Sequence, residues 1–392
     1  MTATKLSIQK CSSYGQPEVQ KALEALLAPL GGIGAFVKQG QQVLIKPNML
    51  TCKEPERAAT THPAVIEAVA SLCVAAGATV LIGDSPPAVF GRSEEFWEKT
   101  GFAGAAERSG ARLICFESEP KAPIKFFTSG REVTAHVVKT LFMVDVVINL
   151  AKMKTHNLTR ITGAVKNLFG LIPGFAKAQW HKTFPAAEEF SDFIADFAHQ
   201  VPVTLNIMDG IEGMDGQGPA GGRVVQCGVL LASTSPVAVD LGFCQLIGFD
   251  PGEVPTLRRC RSLNWGPKSF ADLDAVGCPV KEALIKDFNV PRTPPISLIP
   301  RFIINFVRKL VWTGPALLPG ICIKCGRCKK ICPADAIIIS DTGAVFNRER
   351  CISCFCCMEV CPVEAIEMQS SPLLELGLRL RGLKRRLRPK KP

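Results

Sequence analysis

CIKCGRCKKICP, at residues 322–333, decides the fold of the C-terminal part of the chain, and it has a near copy. CISCFCCMEVCP starts 29 residues later, at 351–362. Both follow the spacing Cys-x2-Cys-x2-Cys-x3-Cys-Pro, and an Ala-Ile pair comes shortly after each. Nine of the 17 cysteines in the 392 residues fall in this block. We interpret it as an internal duplication that builds a metal or redox site.

This spacing places three thiolates on one short loop around a [4Fe–4S] cluster, while the fourth, before a proline, reaches the other cluster. It predicts two [4Fe–4S] clusters. The predicted ligands are Cys322, Cys325, Cys328 and Cys361 for the first cluster, and Cys351, Cys354, Cys357 and Cys332 for the second. Structural zinc sites are the weaker alternative, because they use paired two-cysteine knuckles. Cys356 is a ninth thiol, which we expect not to bind iron.

Residues 337–346, between the two motifs, have the pattern of a β-hairpin with its turn at Asp341-Thr342-Gly343. Residues 320 to about 368 as a whole resemble the bacterial two-cluster ferredoxin. That resemblance implies transfer of single electrons, and it implies a redox partner protein.

The first twenty residues contain neither the apolar core of a secretory signal nor a twin-arginine pair, which predicts a cytoplasmic protein. No apolar run reaches the roughly 18 residues of a membrane span, since charged residues interrupt the nearest candidate, Ile296–Leu318. In a reducing cytoplasm, clustered cysteines bind metals rather than forming disulfides.

The charge of the chain is concentrated at its end. Of a net +11, the last fourteen residues contribute +8, so the rest is nearly balanced and predicts no specific nucleic-acid binding. Residues 371–392 interleave leucines with arginines. This tail is either a solvated end or a weak contact with an anionic membrane surface, which would place the protein at the inner face of the membrane.

Residues 1–290 alternate short apolar runs with amphipathic stretches, which predicts an α/β domain with a mainly parallel or mixed sheet and flanking helices. The predicted strands are Val43–Lys46, Thr79–Ile82, Arg112–Phe116, Val144–Leu150, Thr204–Met208 and Gly228–Leu231. The predicted helices are Gln16–Leu27, Pro63–Ala76, Glu188–His199 and Pro236–Ile247, with Thr61 and Ser235 as candidate caps. Residues 291–319 are predicted to form a linker and an amphipathic helix at 301–312, residues 320–370 a small α+β ferredoxin-like domain, and 371–392 the basic tail.

Polar side chains follow four of the predicted strands. Because the carboxyl ends of parallel strands meet at one edge of a sheet, we expect these side chains to form one ligand site. The candidate binding residues are Lys46, Asn48, Asp84, Lys152, Lys154, Lys166, Asn167 and Asp209. His62 and His156 are the candidate proton-transfer residues, since the pKa of histidine is near neutrality. Lysines in a cleft without a counter-charge are costly, so the predicted ligand is a small anion.

Several of these motifs form a set. They are Lys46-Pro47-Asn48, residues 59–63, Gly83-Asp84-Ser85-Pro86, residues 152–156, residues 162–170 and residues 214–219. Over about residues 40–245 they resemble a family catalogued as domain of unknown function 362, whose members are often joined to ferredoxin-type clusters. The resemblance implies an iron–sulfur protein and supplies no reaction.

Two functions follow from these patterns. In the first, an oxidoreductase passes electrons from the clusters to an anionic substrate at the sheet edge. In the second, an electron carrier or assembly factor uses its large domain to recognise a protein partner. The second is favoured by the lack of a convincing flavin or nicotinamide fingerprint, since one-electron clusters need a second cofactor for most two-electron chemistry.

Overall fold

The computed structural model describes residues 3–85, 93–291 and 312–374. The chain divides into an N-terminal unit, residues 1–291, and a C-terminal unit, residues 292–392. The predicted helix at 301–312 lies almost wholly outside the described residues, and so does most of the basic tail. No helix in the described ranges has the length and apolar character that a membrane crossing requires.

The N-terminal unit contains eleven of the described strands and nine of the described α-helices. The strands are β1 (Thr4–Lys10), β2 (Gln42–Pro47), β3 (Thr79–Asp84), β4 (Arg112–Cys115), β5 (Lys121–Thr128), β6 (Arg131–Val138), β7 (Val146–His156), β8 (Arg160–Thr162), β9 (Leu205–Asp215), β10 (Arg223–Ser233) and β11 (Leu273–Gly277). The helices are α1 (Gln16–Leu27), α2 (Pro63–Ala75), α3 (Ser93–Lys99), α4 (Phe102–Ser109), α5 (Ala164–Asn167), α6 (Ala176–Thr183), α7 (Ala187–His199), α8 (Pro236–Leu246) and α9 (Pro255–Ser262).

One mixed sheet organises this unit and confirms the predicted α/β class. Its order is β11-β1-β10-β9-β7-β2-β3-β4, with β8 beside β7, while β5 and β6 form a separate hairpin. Strands β9, β7, β2, β3 and β4 run parallel. All eleven residues of β7 are buried, as expected for a central strand covered on both faces.

Two central strands are longer than the sequence predicts. The prediction places residues 152–156 and 209–215 in loops, whereas they are the second halves of β7 and β9. Lys154 explains the difference, because it pairs with Met214 of β9 and with Thr162 of β8. Met214 is remote in sequence from Lys154, and residues 152–156 are polar, so the sequence did not predict that the strand continues through them.

The predicted helix caps are half right. Ser235 caps α8 by accepting a hydrogen bond from the Ala238 amide. At the start of α2 the capping side chain is His62 rather than Thr61. Thr61 instead donates its hydroxyl to the carbonyl of Leu150 on β7.

The C-terminal unit has an α+β arrangement of small elements. They are β12 (Thr313–Leu317), α10 (Arg327–Ile331), β13 (Ile337–Ser340), β14 (Gly343–Phe346), α11 (Cys356–Glu359) and β15 (Ile366–Ser370). Strands β13 and β14 form the predicted hairpin. Strand β12 precedes residue 320, where the sequence places the start of the domain, and it pairs with β15 along its whole length.

The two cysteine repeats fold alike. Three pairs of residues, each separated by 29 positions, have positive φ: Lys324 and Ser353 (57° and 53°), Gly326 and Phe355 (74° and 63°), Asp335 and Glu364 (48° and 53°). Left-handed backbone is costly for a side chain such as that of Phe355, so the repeated geometry is imposed by the ligand loop. The duplication in sequence is therefore a duplication in structure.

Candidate functional site

Five thiols from the two cysteine repeats line one cavity. Four belong to the second repeat, Cys351, Cys354, Cys356 and Cys357, and the fifth is Cys332 of the first repeat. Apart from Cys356, these thiols are the ligands predicted for the second cluster.

Burial and neighbouring thiols also shift the pKa of predicted ligands in both sets. Burial, with smaller contributions from negative charge on Cys325, Cys361 and Cys322, raises the pKa of Cys328 to about 11. In the second set, burial and the charges of Cys354 and Cys351 raise the pKa of Cys357 well above its ordinary value. Buried thiols such as Cys328 and Cys357 need a cationic centre beside them to become thiolates.

Backbone amides point at the sulfurs in the same way in both repeats. Lys324 N–H donates to Cys322 Sγ and Ser353 N–H to Cys351 Sγ, each at 3.4 Å. The Cys-Pro cysteines accept similar bonds, from Ala336 N–H to Cys332 Sγ at 3.3 Å and from Ala365 N–H to Cys361 Sγ at 3.2 Å. Such bonds orient sulfur ligands and favour the thiolate. The donor set and its amides fit [4Fe–4S] clusters.

Cys356 is buried beside this second set. It lies in the cavity wall, and a hydrogen bond with its thiol lowers the pKa of Cys354. The same bond, with burial, raises the pKa of Cys356 well above its usual value. These opposite pKa shifts correspond to a hydrogen bond that Cys356 donates to the predicted ligand Cys354.

In the N-terminal unit, two of the predicted lysines carry their own counter-charge. Lys46 Nζ lies 2.9 Å from Asp84 Oδ2, and Lys152 Nζ lies 2.8 Å from Asp209 Oδ2. All four side chains are buried. Burial lowers the pKa of Lys46, and Asp84 opposes that shift. The expectation of uncompensated lysines was wrong at these two positions, because neighbouring parallel strands bring a carboxylate to each.

A row of side-chain amides joins three predicted site residues to two others. Lys154 Nζ donates to Asn48 Oδ1 at 2.7 Å, and Asn48 donates to Asn167 Oδ1 at 3.0 Å. Asn167 donates to Asn149 Oδ1, and Asn149 to Asn206 Oδ1, both at 2.8 Å. Sequence reasoning missed Asn149 and Asn206. An asparagine inside an otherwise apolar strand was the available signal, since a buried amide needs a partner.

Tyr14, the only tyrosine in the sequence, is a second missed residue. Its hydroxyl donates to Asp209 Oδ1 at 2.9 Å and accepts from Lys152 Nζ at 2.7 Å and from Glu212 N–H at 3.0 Å. Its ring stacks on that of His62, with centroids 3.5 Å apart. Tyr14 thus connects the Lys152–Asp209 pair to a predicted proton-transfer residue.

Both predicted proton-transfer histidines use Nδ1 to bind backbone. His62 Nδ1 accepts from Ala64 N–H at 3.1 Å, and His156 Nδ1 accepts from Leu158 N–H at 3.0 Å. An accepting Nδ1 places the proton of a neutral ring on Nε2. Burial lowers the pKa of His62 to about 4, so this ring is neutral at pH 7. Proton transfer by His62 or His156 would therefore involve Nε2.

Asp240, a further residue that the sequence did not single out, holds the short helix α5. Its carboxylate accepts from Ala164 N–H at 2.5 Å and from Val165 N–H at 3.2 Å. Burial raises the pKa of Asp240 to about 7. Helix α5 carries Lys166, whose Nζ lies 6.0 Å from the centre of the Phe169 ring. Asp240 thus fixes the element that presents Lys166 and Asn167.

Glycines on either side of α5 permit this close packing. A Cβ on Gly163 would lie 1.9 Å from Asp240 Oδ1, and a Cβ on Gly170 would lie 2.3 Å from Asp84 Oδ1. The backbone therefore passes directly against both buried carboxylates.

The fold and the thiol sets define an iron–sulfur protein that joins an α/β unit to a ferredoxin-like unit. Residues 43–245 match the domain of unknown function (DUF362), and residues 315–362 match a 4Fe-4S dicluster domain. The chain belongs to the DUF362 family. Its dicluster domain gives it the capacity for 4Fe-4S electron transfer.

One relative is the thylakoid-associated protein sll1697 of Synechocystis sp. The two are 34% identical over 331 residues, which is 79% of this chain and 99% of the relative. Among solved structures, the lactate racemase apoprotein from Thermoanaerobacterium thermosaccharolyticum aligns with a TM-score of 0.38 and 15% identity. That alignment covers 63% of this chain and 57% of the racemase. Similarity at this level bears on neither activity nor ligand.

Proposed function

We propose that this protein is an iron–sulfur oxidoreductase. Two [4Fe–4S] clusters in the C-terminal unit supply single electrons, and a small anionic substrate binds at the carboxyl edge of β2, β3, β7 and β9. The observation that carries the first part is the cavity lined by Cys351, Cys354 and Cys357 of one repeat and Cys332 of the other, with Cys356 beside them. Clusters of this class, when bound, accept and release one electron at a time.

Iron analysis tests the number of clusters and their ligands. The reconstituted protein should contain about eight iron atoms per chain. Cys332→Ala should lower this toward about four with the second cluster lost, because Cys332 serves the loop of the other repeat. Cys356→Ala is the matched control and should keep about eight. About four iron atoms in the unmodified protein, or loss of iron in Cys356→Ala, would contradict the proposed ligand sets.

In the N-terminal unit, the carboxylates of Asp84 and Asp209 already neutralise Lys46 and Lys152. We assign recognition of the charge of the substrate to Lys154, which is bonded to Asn48, and to Lys166, which lies on α5 next to Asn167. Asn48 and Asn167 would orient the substrate, since each is tied into the amide row. His62 and His156 would exchange protons through Nε2.

Ligand binding tests this second part. A screen of small carboxylates and phosphates should contain compounds that raise the melting temperature of the N-terminal unit. Lys154→Ala and His156→Ala should abolish that rise and leave the visible absorbance of the clusters unchanged. Lys182→Ala, on an exposed residue of α6, is the control. Equal stabilisation of both variants and the control would reject the assignment.

The second candidate is an electron carrier or assembly factor whose N-terminal unit recognises a protein. The buried Lys–Asp pairs favour it, because charges balanced within the fold have less need of a charged ligand. Retention of a specific reductase on the immobilised protein, with no stabilising anion, would support this candidate over the enzyme.

We also propose a cytoplasmic location at the surface of a membrane. The name of the thylakoid-associated relative and the basic, leucine-rich residues 371–392 support it. Flotation with anionic liposomes should fall when residues 371–392 are deleted. Equal flotation of both forms would exclude the tail as the contact.

A further inference from the structure

The charge of the C-terminal unit is concentrated in the first ligand loop. Residues 322–330 contain four basic residues and no acidic one. The rest of residues 313–374 contains two basic and six acidic residues, a net charge of −4. The segment of the second repeat equivalent to 322–330, residues 351–359, carries a single charge, that of Glu359. The two predicted cluster sites therefore differ in sign of charge although their ligand spacing is the same.

The two ligand loops also differ in exposure. The side chains of Lys324, Lys329 and Lys330 are exposed, and so is the predicted ligand Cys325. Ile323 is 60% exposed and Ile321 is 44% exposed. In the second repeat, by contrast, every residue from 351 to 357 is half-buried or buried.

Exposed isoleucines among lysines are typical of a docking surface. A protein interface has an apolar centre that excludes water, and charges at its rim steer the partner and fix its orientation. Ile323 lies in the ligand loop and Ile321 directly precedes it, so a partner seated on them would approach the cluster predicted at Cys322, Cys325 and Cys328.

We propose that residues 321–330 are the electron-exchange surface of the protein, and that its occupant is a redox partner protein with an acidic face. The carboxylates of that face meet Lys324, Lys329 and Lys330, and Ile321 and Ile323 form the apolar contact. The second ligand loop, buried and without this positive charge, exchanges electrons through the first. This inference rests on the proposed electron-transfer function and adds the route and the chemistry of the partner.

Outer-sphere oxidants of opposite charge test the route. The reduced full-length protein is mixed in a stopped-flow instrument with trianionic tris(oxalato)cobaltate(III) or tricationic hexaamminecobalt(III). In each electron-transfer step one reduced cluster is oxidised by one electron and cobalt(III) is reduced to cobalt(II), and this step itself moves no proton. The rate of oxidation by the anion should be highest at low salt and should fall as ionic strength rises. Salt screens the attraction of the lysines for the anion beyond a Debye length of about 8–10 Å.

Charge reversal then locates the surface. Lys324→Glu and Lys330→Glu should each slow the anionic oxidant about fivefold and accelerate the cationic one. Arg350→Glu is the matched control, an exposed basic residue directly before the second ligand loop, and should change either rate less than about twofold.

The outcomes separate this inference from the function on which it depends. Equal slowing by Arg350→Glu, or no slowing by either lysine variant, overturns the assigned surface while leaving electron transfer in place. A reconstituted protein whose visible absorbance does not bleach on reduction overturns the proposed function itself.

Discussion

The two units of this protein hold their functional residues in opposite ways. In the N-terminal unit the site lies on a continuous core of aliphatic and aromatic side chains, and two of its lysines, Lys46 and Lys152, form ion pairs within the fold. In the described part of the C-terminal unit, one hydrophobic core group contains seven buried residues. Three of them are predicted iron ligands: Cys328, Cys357 and Cys361. The first unit is stabilised by its own side chains, whereas the second depends on a metal centre for much of its interior.

Removal of iron should have the largest effect, and it should affect the two units differently. When the clusters are chelated, the C-terminal unit should unfold, because its sulfurs lose the cation that balances them and its core is small. The N-terminal unit should stay folded. Hydrogen exchange measured by mass spectrometry checks this, with loss of protection expected at residues 337–346 and retained protection in β2 and β7.

A protected hairpin at residues 337–346 in the iron-free protein would show that the C-terminal unit folds without its clusters. Loss of protection in β2 and β7 as well would show that the units are not independent.

Disruption of a buried ion pair should have the next largest effect, and it should be confined to the N-terminal unit. Lys46→Met leaves Asp84 buried without its ion-pair partner and should lower the free energy of unfolding by about 3–5 kcal/mol. The double variant Lys46→Met with Asp84→Asn should recover most of that loss, because no uncompensated charge remains. Urea denaturation followed by tryptophan fluorescence measures both.

An exposed pair in the same unit provides the control. Arg108 is bonded to Glu67 at 2.8 Å, and its side chain is 60% exposed. Arg108→Met should therefore cost at most about 1 kcal/mol. If Lys46→Met costs no more than Arg108→Met, the buried pair does not stabilise the sheet edge.

The smallest effect concerns Asp240 and depends on pH. Its folded pKa of about 7 lies above the unfolded value of about 4, so the folded state binds more protons between these values. Stability should therefore decrease as pH rises from about 4 to about 7 and stay reduced above that. Asp240→Asn should remove this contribution, which is on the order of 2–4 kcal/mol.

The measurement compares denaturation of the native protein and Asp240→Asn at pH 5 and pH 8. Asp274→Asn, on an exposed residue of β11, is the control and should keep the native pH dependence. An unchanged pH dependence in Asp240→Asn would show that the carboxyl is ionised throughout this range.

The sequence predicted the N-terminal class and most strand positions because apolar runs and helix starts are local signals. It also placed Lys46, Asn48, Lys154 and Asn167 at one edge, and the structure joins Lys154, Asn48 and Asn167 by hydrogen bonds. It did not find Tyr14, whose partners Lys152 and Asp209 are more than a hundred residues away. It also misjudged the charge balance at Lys46 and Lys152, since the pairing of these two lysines with carboxylates depends on strand order.

What the sequence determined by itself is the C-terminal unit. Its predicted ligands lie in two short loops, and the repeated Cys-x2-Cys-x2-Cys-x3-Cys-Pro spacing is a local pattern typical of a 4Fe-4S dicluster domain. The tertiary structure alone decided the ion pairs, the amide row and the histidine orientations of the N-terminal unit. Those contacts join strands β2, β3, β7 and β9, which are neighbours only because the sheet places them side by side. The spacing of residues along the chain does not predict that strand order.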